Sequence, residues 1–413
     1  MSPGNLPRYF LPFISAMVAI APFAIDTYLP ALPAMAAAFD TDIVALNYTI
    51  STYLIGFGLG QLLGGPVSDQ LGRRPIGLIG LVVFIGGTLA ISLATSVEQI
   101  QWLRPVQALG GGFVACICNA MVRDSYSPTE AAKRFPVVML VMLAAPLVAP
   151  VIGTALLPLG WQSIFLFLAL YAVVILLVFN PIGETNSHRT GKLKLGDLVP
   201  QYIDVLTRRV DGARTPLRYV LIQGFVSATL MVFLTNAAFI YLEYFEVTTS
   251  QFPVYFGANV FAMMCFTLIT ARLVRRVQPF RLFRFGILSQ LFWVSMLALI
   301  VFLGEPHSGI FTPVLALAVG SAGFINSTLS GLLLANFRKL AGSAGALMSM
   351  ATFSFGAGLG ALSGLLYDGS LAPVAYVMLG SSIVANLIAW TTPAPRHWDD
   401  ASIAAAQSSS RFD

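Results

Sequence analysis

Charge is what this chain has least of. Asp, Glu, Lys and Arg make up only 10% of its 413 residues, against about a quarter in a soluble protein. A water-soluble globular domain is thereby excluded. Cysteine is nearly as scarce: Cys116, Cys118 and Cys265 all fall in apolar runs. They suit neither a disulfide framework nor a zinc site and read as small packing residues. The histidines His188, His307 and His397 lie outside the runs, so no imidazole relay is expected inside them. No GxxxxGK[ST], HExxH or GxSxG motif occurs, and the near match GALSG at 360–364 has its serine misplaced. A nucleotide motor and the familiar membrane-embedded hydrolases lose their usual signatures. No metal or cofactor is expected.

What the chain does have is apolar length. Its 57% hydrophobic residues gather in runs of about 20, each able to span a bilayer as a helix. The runs predict helices over 10–33, 46–66, 76–95, 98–123, 135–158, 161–181, 217–241, 251–274, 281–303, 309–334, 341–366 and 371–392. The first, followed by Ala36, Ala37 and Ala38, imitates a signal peptide. Its length, with Asp26 and Pro30 inside it, favours a span.

All but Arg104 of the 23 basic residues then fall on one side. The opposite loops hold Asp40, Asp42, Glu98, Glu243, Glu246, Glu305 and Asp368 without a Lys or Arg. The positive-inside rule puts both termini in the cytoplasm. An odd helix count would break the pattern. The net charge of +5 comes from these cytoplasmic loops and does not indicate nucleic acid.

The expected fold is an all-α membrane protein of twelve transmembrane helices in two six-helix bundles. Residues 1–181 form the first bundle, 182–216 a cytoplasmic linker, 217–392 the second bundle and 393–413 a cytoplasmic tail. Within the linker, Leu195 to Arg209 is expected to lie along the membrane surface. The loops SDQLGRRP and ARLVRRVQP, after helices 2 and 8, echo one another faintly.

Only Asp26 and Arg104 are ionisable and deep within the runs. Both lie roughly 10 Å from the acidic ends of helices 1 and 4 at ~1.5 Å per residue, a matched depth that allows a direct or water-bridged pair. An ion pair joining two helices is one reading. The other is proton exchange at Asp26 tuned by Arg104, since burial and a nearby cation push a carboxyl in opposite directions. Below Arg104, Ala108, Gly111, Ala115 and Asn119 form a small-residue stripe, suited to close packing or to a cavity wall. Tyr28, Tyr48, Asn236, Tyr241, Asn259, Phe353 and Phe355, with Asn119, are candidate contacts for a drug-sized ligand, and Tyr241 also suits an interface anchor.

Residues 64–78, GGPVSDQLGRRPIGL, resemble the loop between helices 2 and 3 of the major facilitator superfamily. The resemblance implies that Asp69 faces the positive N-terminus of helix 11 and helps close the cytoplasmic side. It also implies a tight turn at Gly72 and cytoplasmic charge at Arg73 and Arg74. LRPVQALGGG (103–112) resembles the helix 4 motif centred on an intramembrane arginine. APLVAPVIG (145–153) is similar to the helix 5 motif of antiporters, in which Pro146, Pro150 and Gly153 would bend the helix; Ala149 and Thr154 depart from its glycine-rich form. AIDTYLPALP, NAMVRDSY and FIYLE resemble the Bcr/CflA branch, the bicyclomycin and chloramphenicol resistance type of proton-coupled exporter. Asp26 matches that branch's helix 1 aspartate, and Arg123 and Asp124 fall in its helix 4 motif, with a gating role. Val18 stands where some multidrug carriers place a second carboxylate. The implied protein is a monomeric exporter of the bacterial inner membrane, whose partners are drug-like molecules, protons and lipid. A metabolite exporter or symporter on the same fold, and more remotely an embedded enzyme, are the alternatives.

Overall fold

The computed structural model describes residues 7–393 apart from 187–188, 190–195, 197, 211–214, 275 and 338–339. Lys192, Lys194, Arg214, Arg275, Arg338, Lys339, Arg396 and Arg411, which enter the topology expectation, lie outside the described residues, as do His188 and His397. Among those described, 12 helices are long and apolar enough to cross a membrane. In the first bundle these are α1 (Phe10–Ala38), α2 (Ile43–Leu71), α3 (Arg73–Ser92), α4 (Val97–Ser125), α5 (Pro128–Leu156) and α6 (Gln162–Phe179). The second holds α7 (Thr215–Tyr244), α8 (Phe252–Leu273), α9 (Pro279–Phe302), α10 (Ser308–Leu334), α11 (Ala341–Leu365) and α12 (Ala372–Trp390). Helices satisfy every backbone group within one segment, which hydrocarbon demands. Apolar runs therefore locate them to within a few residues.

The first span is longer than expected and is broken. Its α-helix stops at Asp26, a 3-10 turn covers Leu29–Ala31, and the helix resumes over Leu32–Ala38. Pro30 has no N–H to give the Asp26 carbonyl, and Pro33 none for Leu29, so two α bonds within one turn are missing. The corresponding first span of the second bundle also loses α geometry, in a π-helical stretch over Phe239–Tyr244.

Small residues set the packing. On α2, a Cβ at Gly56 would lie 2.4 Å from the Pro105 carbonyl oxygen of α4, and one at Gly60 would lie 2.6 Å from that of Leu109. Glycine at four-residue spacing puts these two backbones in contact, which substitutes for the hydrophobic drive absent in lipid. The bundles meet where α2 crosses α11: Phe57 lies edge-on to Phe353 at 4.8 Å.

The linker's described helix, Leu198–Thr207, packs one face into the protein and leaves Val199 and Ile203 exposed on the other. Val205 is fully buried against the second bundle. Tyr202 donates from its hydroxyl to the Leu62 carbonyl of α2 at 2.7 Å, and Gln201 accepts from Ser343 of α11 at 3.0 Å. The Leu62 carbonyl is available because Pro66, four residues on, has no N–H to offer it.

Candidate functional site: a cavity and a buried charge

At the basic end, between α2, α4 and α5 on one side and α10 and α11 on the other, lies a cavity of about 720 Å³. Its wall is mostly apolar, with Gln61, Asn119 and Ser349 as neutral hydrogen-bonding groups and Asp69, Arg73 and Arg123 near the basic end. Contacts close the opposite, acidic half. Tyr48 packs on Gly364 of α11, and Thr154 of α5 donates to the Thr249 carbonyl beyond α7 at 3.2 Å.

Asp26 and Arg104 lie in that closed half, away from the cavity. Arg104 is fully buried and Asp26 is 3% exposed, and of the two arrangements their matched depth allows, the direct ion pair is not formed. The Arg104 guanidinium donates from Nη1 to the Ala24 carbonyl at 3.1 Å and to Gln107 Oε1 at 2.8 Å. It is sandwiched between the rings of Tyr28 and Tyr53, 4.2 and 4.6 Å from their centroids. Gln107 passes the chain on to Thr88 of α3 at 2.8 Å. Ala24 is near the end of the broken α1 helix, where carbonyls lack intrahelical partners and attract a cation. Arg104 thus caps the break, while Asp26 Oδ1 has no protein partner. The break also receives α5: a Cβ at Gly153 would lie 1.8 Å from the Thr27 carbonyl oxygen.

At the basic end one arginine ties the loop together. Arg73 is 3% exposed, pairs with Asp69 at 2.5 Å and Asp124 at 3.0 Å, and donates to Ser68 at 2.7 Å. Asp69 Oδ2 stands 3.9 Å from the Cβ position of Gly342, close to the N-terminus of α11. Arg74 donates to the Asn180 carbonyl at 2.8 Å, and Arg123, largely exposed, lies 3.8 Å from Asp124. Gly72 has φ +116°, a region that favours glycine. Pro146 and Pro150 lie inside α5, which runs as one helix over Pro128–Leu156.

Sequence reasoning passed over Glu184. It accepts from the backbone N–H groups of Arg73 and Arg74 at 2.8 and 3.1 Å and so caps the start of α3. Its place ahead of every Lys and Arg of the linker was the available signal. Nothing in the local pattern marked Tyr53 or Gln107, whose roles depend on what crosses them.

The proposed ligand contacts do not assemble into one site. Of the eight, only Asn119 lines the cavity. Tyr28 bonds Thr49 at 3.0 Å and stacks on Arg104. Asn236 donates to Ser363 at 2.8 Å, and Asn259 donates to the Tyr241 hydroxyl at 3.0 Å. Phe353 and Tyr48 sit in the seam between the bundles, while Phe355 lies edge-on to Phe225 at 4.9 Å. The α4 stripe does both things expected of it: Ala108 is fully buried in the bundle, and Asn119 reaches the cavity.

Known proteins agree with this architecture. A bicyclomycin resistance protein homolog of Haemophilus influenzae is 27% identical over 391 residues, 92% of this chain and 95% of its own. A chloramphenicol resistance protein of Pseudomonas aeruginosa is 39% identical over 155 residues, 37% of this chain and 36% of its own. The crystal structure of a D-xylose-proton symporter superposes with a TM-score of 0.75 at 14% identity, covering 94% of this chain and 99% of that one. It shares the fold alone. The sequence pattern of the Major Facilitator Superfamily extends over residues 14–361, so the chain belongs to that family and is a multi-pass membrane transporter rather than an enzyme.

Proposed function

We propose that the protein exports neutral or zwitterionic drug-like molecules from the bacterial cytoplasm across the inner membrane, in exchange for protons. The carrying observation is Asp26: a carboxyl sealed within the first bundle, with an oxygen that no protein group partners, beside an arginine whose Nη1 bonds go to Ala24 and Gln107 and not to the carboxyl. An ionised carboxylate sealed in a bilayer costs several kcal/mol, so solvent access to Asp26 and its proton occupancy are linked. A group bound into a permanent ion pair would not serve this purpose. The basic face is read as cytoplasmic. The cavity there supplies apolar wall plus Gln61, Asn119 and Ser349, and its one carboxylate, Asp69, is paired with Arg73. That lining suits an uncharged amphiphile. The names of the relatives support a drug-sized substrate. The two bundles rock about the α2–α11 crossing, exposing the cavity and the α1 break in turn.

The test is substrate uptake into inside-out vesicles after an imposed pH step, with a resistance panel in an efflux-deficient host. Wild type should concentrate one or more of the drugs and dissipate the gradient, and Asp26→Asn should do neither. Metabolite uptake with no drug phenotype, or proton flow in the same direction as substrate, would overturn the reading.

A further inference from the structure

Helices α5 and α6 hardly pack against one another, and α1 shows between them on the outer surface of the first bundle. The gap is a groove of about 520 Å³, floored by Ala16 and Ala19 and walled by Val137, Val141, Val148 and Tyr171. Its polar groups are already occupied: Ser15 donates to the Leu11 carbonyl at 3.0 Å and Tyr171 to the Ala16 carbonyl at 2.8 Å. Hydrocarbon surface is what remains. From Val137 to Val148 the wall runs about 16 Å at ~1.5 Å per residue, roughly half of the ~30 Å hydrocarbon thickness. That is the reach of an acyl chain from one leaflet.

The groove's lining carries no charge, and two basic residues lie along the chain just beyond its basic end. Lys133 precedes Val137 by one turn on the same face of α5, and Arg8 lies two residues before α1; both are exposed. Arg134 is held over the Tyr126 ring at 4.4 Å. Glu130, the nearest acidic residue on that helix, accepts from the Ser127 hydroxyl and donates its backbone N–H to the same oxygen. Arg8 and Lys133 therefore remain to meet an anion. We propose that the groove binds one anionic phospholipid of the basic-face leaflet, its acyl chain along α1 and α5 and its phosphate between Arg8 and Lys133. The site needs only the membrane-embedded fold and is independent of transport direction.

Native mass spectrometry of the full chain in mild detergent tests this, with phosphatidylglycerol and phosphatidylcholine of identical chains added in turn. A basic residue near a membrane surface is worth about a fivefold preference for anionic lipid. Wild type should favour phosphatidylglycerol at least tenfold. The double variant Arg8→Gln, Lys133→Gln should reduce that preference at least fivefold while still retaining lipid. Ala16→Phe with Ala144→Phe, two residues of the groove's lining, fills the groove and should reduce retention of both lipids. Glycerol 3-phosphate, the headgroup chemistry without a chain, should not displace bound lipid. Equal retention of the two lipids by wild type, an undiminished preference in the charge variant, or displacement by glycerol 3-phosphate overturns the proposal. Full lipid retention by the folded groove-filled variant does so too. If that variant fails to fold, the charge variant at its two exposed positions decides alone.

Discussion

Arg104 shows how much a single buried cation can organise. Its guanidinium joins the end of the first α1 segment to α3 through Gln107, and two tyrosine rings take the place of water on its faces. Arg104→Ala removes charge-assisted hydrogen bonds worth about 1.5–3 kcal/mol each and leaves a void between the rings. Part of that loss is offset because a buried cation no longer needs desolvating. A net destabilisation of roughly 2–4 kcal/mol is expected, read as a lower melting temperature in detergent. Arg104→Lys should also fall short of wild type, since an ammonium cannot reproduce the planar stack. Asp26→Asn should behave differently. The carboxyl makes no ion pair, so folding should survive while pH-driven export falls to background. A variant that melts like wild type and still pumps uphill would rule out Asp26 as the coupling group.

At the scale of elements, two contacts depend on missing atoms. Gly153 lets α5 touch the Thr27 carbonyl at the α1 break. Gly153→Ala must push the two helices apart, because backbone cannot yield as a flexible side chain can. Turnover is expected to fall at least tenfold, with a smaller change in drug affinity, compared by vesicle transport and equilibrium binding. Pro66 frees the Leu62 carbonyl, and Tyr202 of the linker helix takes it up. Tyr202→Phe leaves that carbonyl unsatisfied at a cost of about 1 kcal/mol, so hydrogen exchange across 198–207 should quicken about fivefold. Burial pushes the Tyr202 hydroxyl up to about 12. The group's pKa is raised, so the contact is fully present below the ordinary tyrosine value near 10 and is lost only as pH rises through about 12. Linker protection should therefore stay flat over the pH range in which transport changes.

For the whole molecule, the described arrangement has its cavity at the basic end and its acidic half closed. Asn119 is exposed in that cavity, and His307 lies in an acidic-side loop before α10. With basic face inward, an impermeant maleimide should label His307→Cys in intact cells and Asn119→Cys only in inside-out vesicles. Saturating drug should slow the second reaction several-fold. Labelling of Asn119→Cys from outside cells would mean either reversed topology or a cavity continuous through the protein. The labelling is read in a Cys116→Ser background, because the Cys116 thiol lines the same cavity and is partly exposed.

Twelve spans were legible in the sequence because hydrocarbon forces each crossing segment to be long, apolar and helical, so the constraint acts locally. The asymmetry of Lys and Arg between loops is likewise a sum over single residues, and the family motifs are contiguous in the chain. Asp26 and Arg104 stood out because an ionisable group inside an apolar run is conspicuous by itself. Whether the two touch depends on the rotation of α1 against α4, which Pro30, Tyr28 and Tyr53 settle together, and no spacing along one helix encodes that rotation. The same holds for Glu184 reaching back to Arg73, for Tyr202 finding Leu62, and for the scattering of the aromatic and amide candidates. Those contacts join residues tens to more than a hundred positions apart. Their partners are chosen by packing in three dimensions, where glycine and alanine decide how closely the backbones approach.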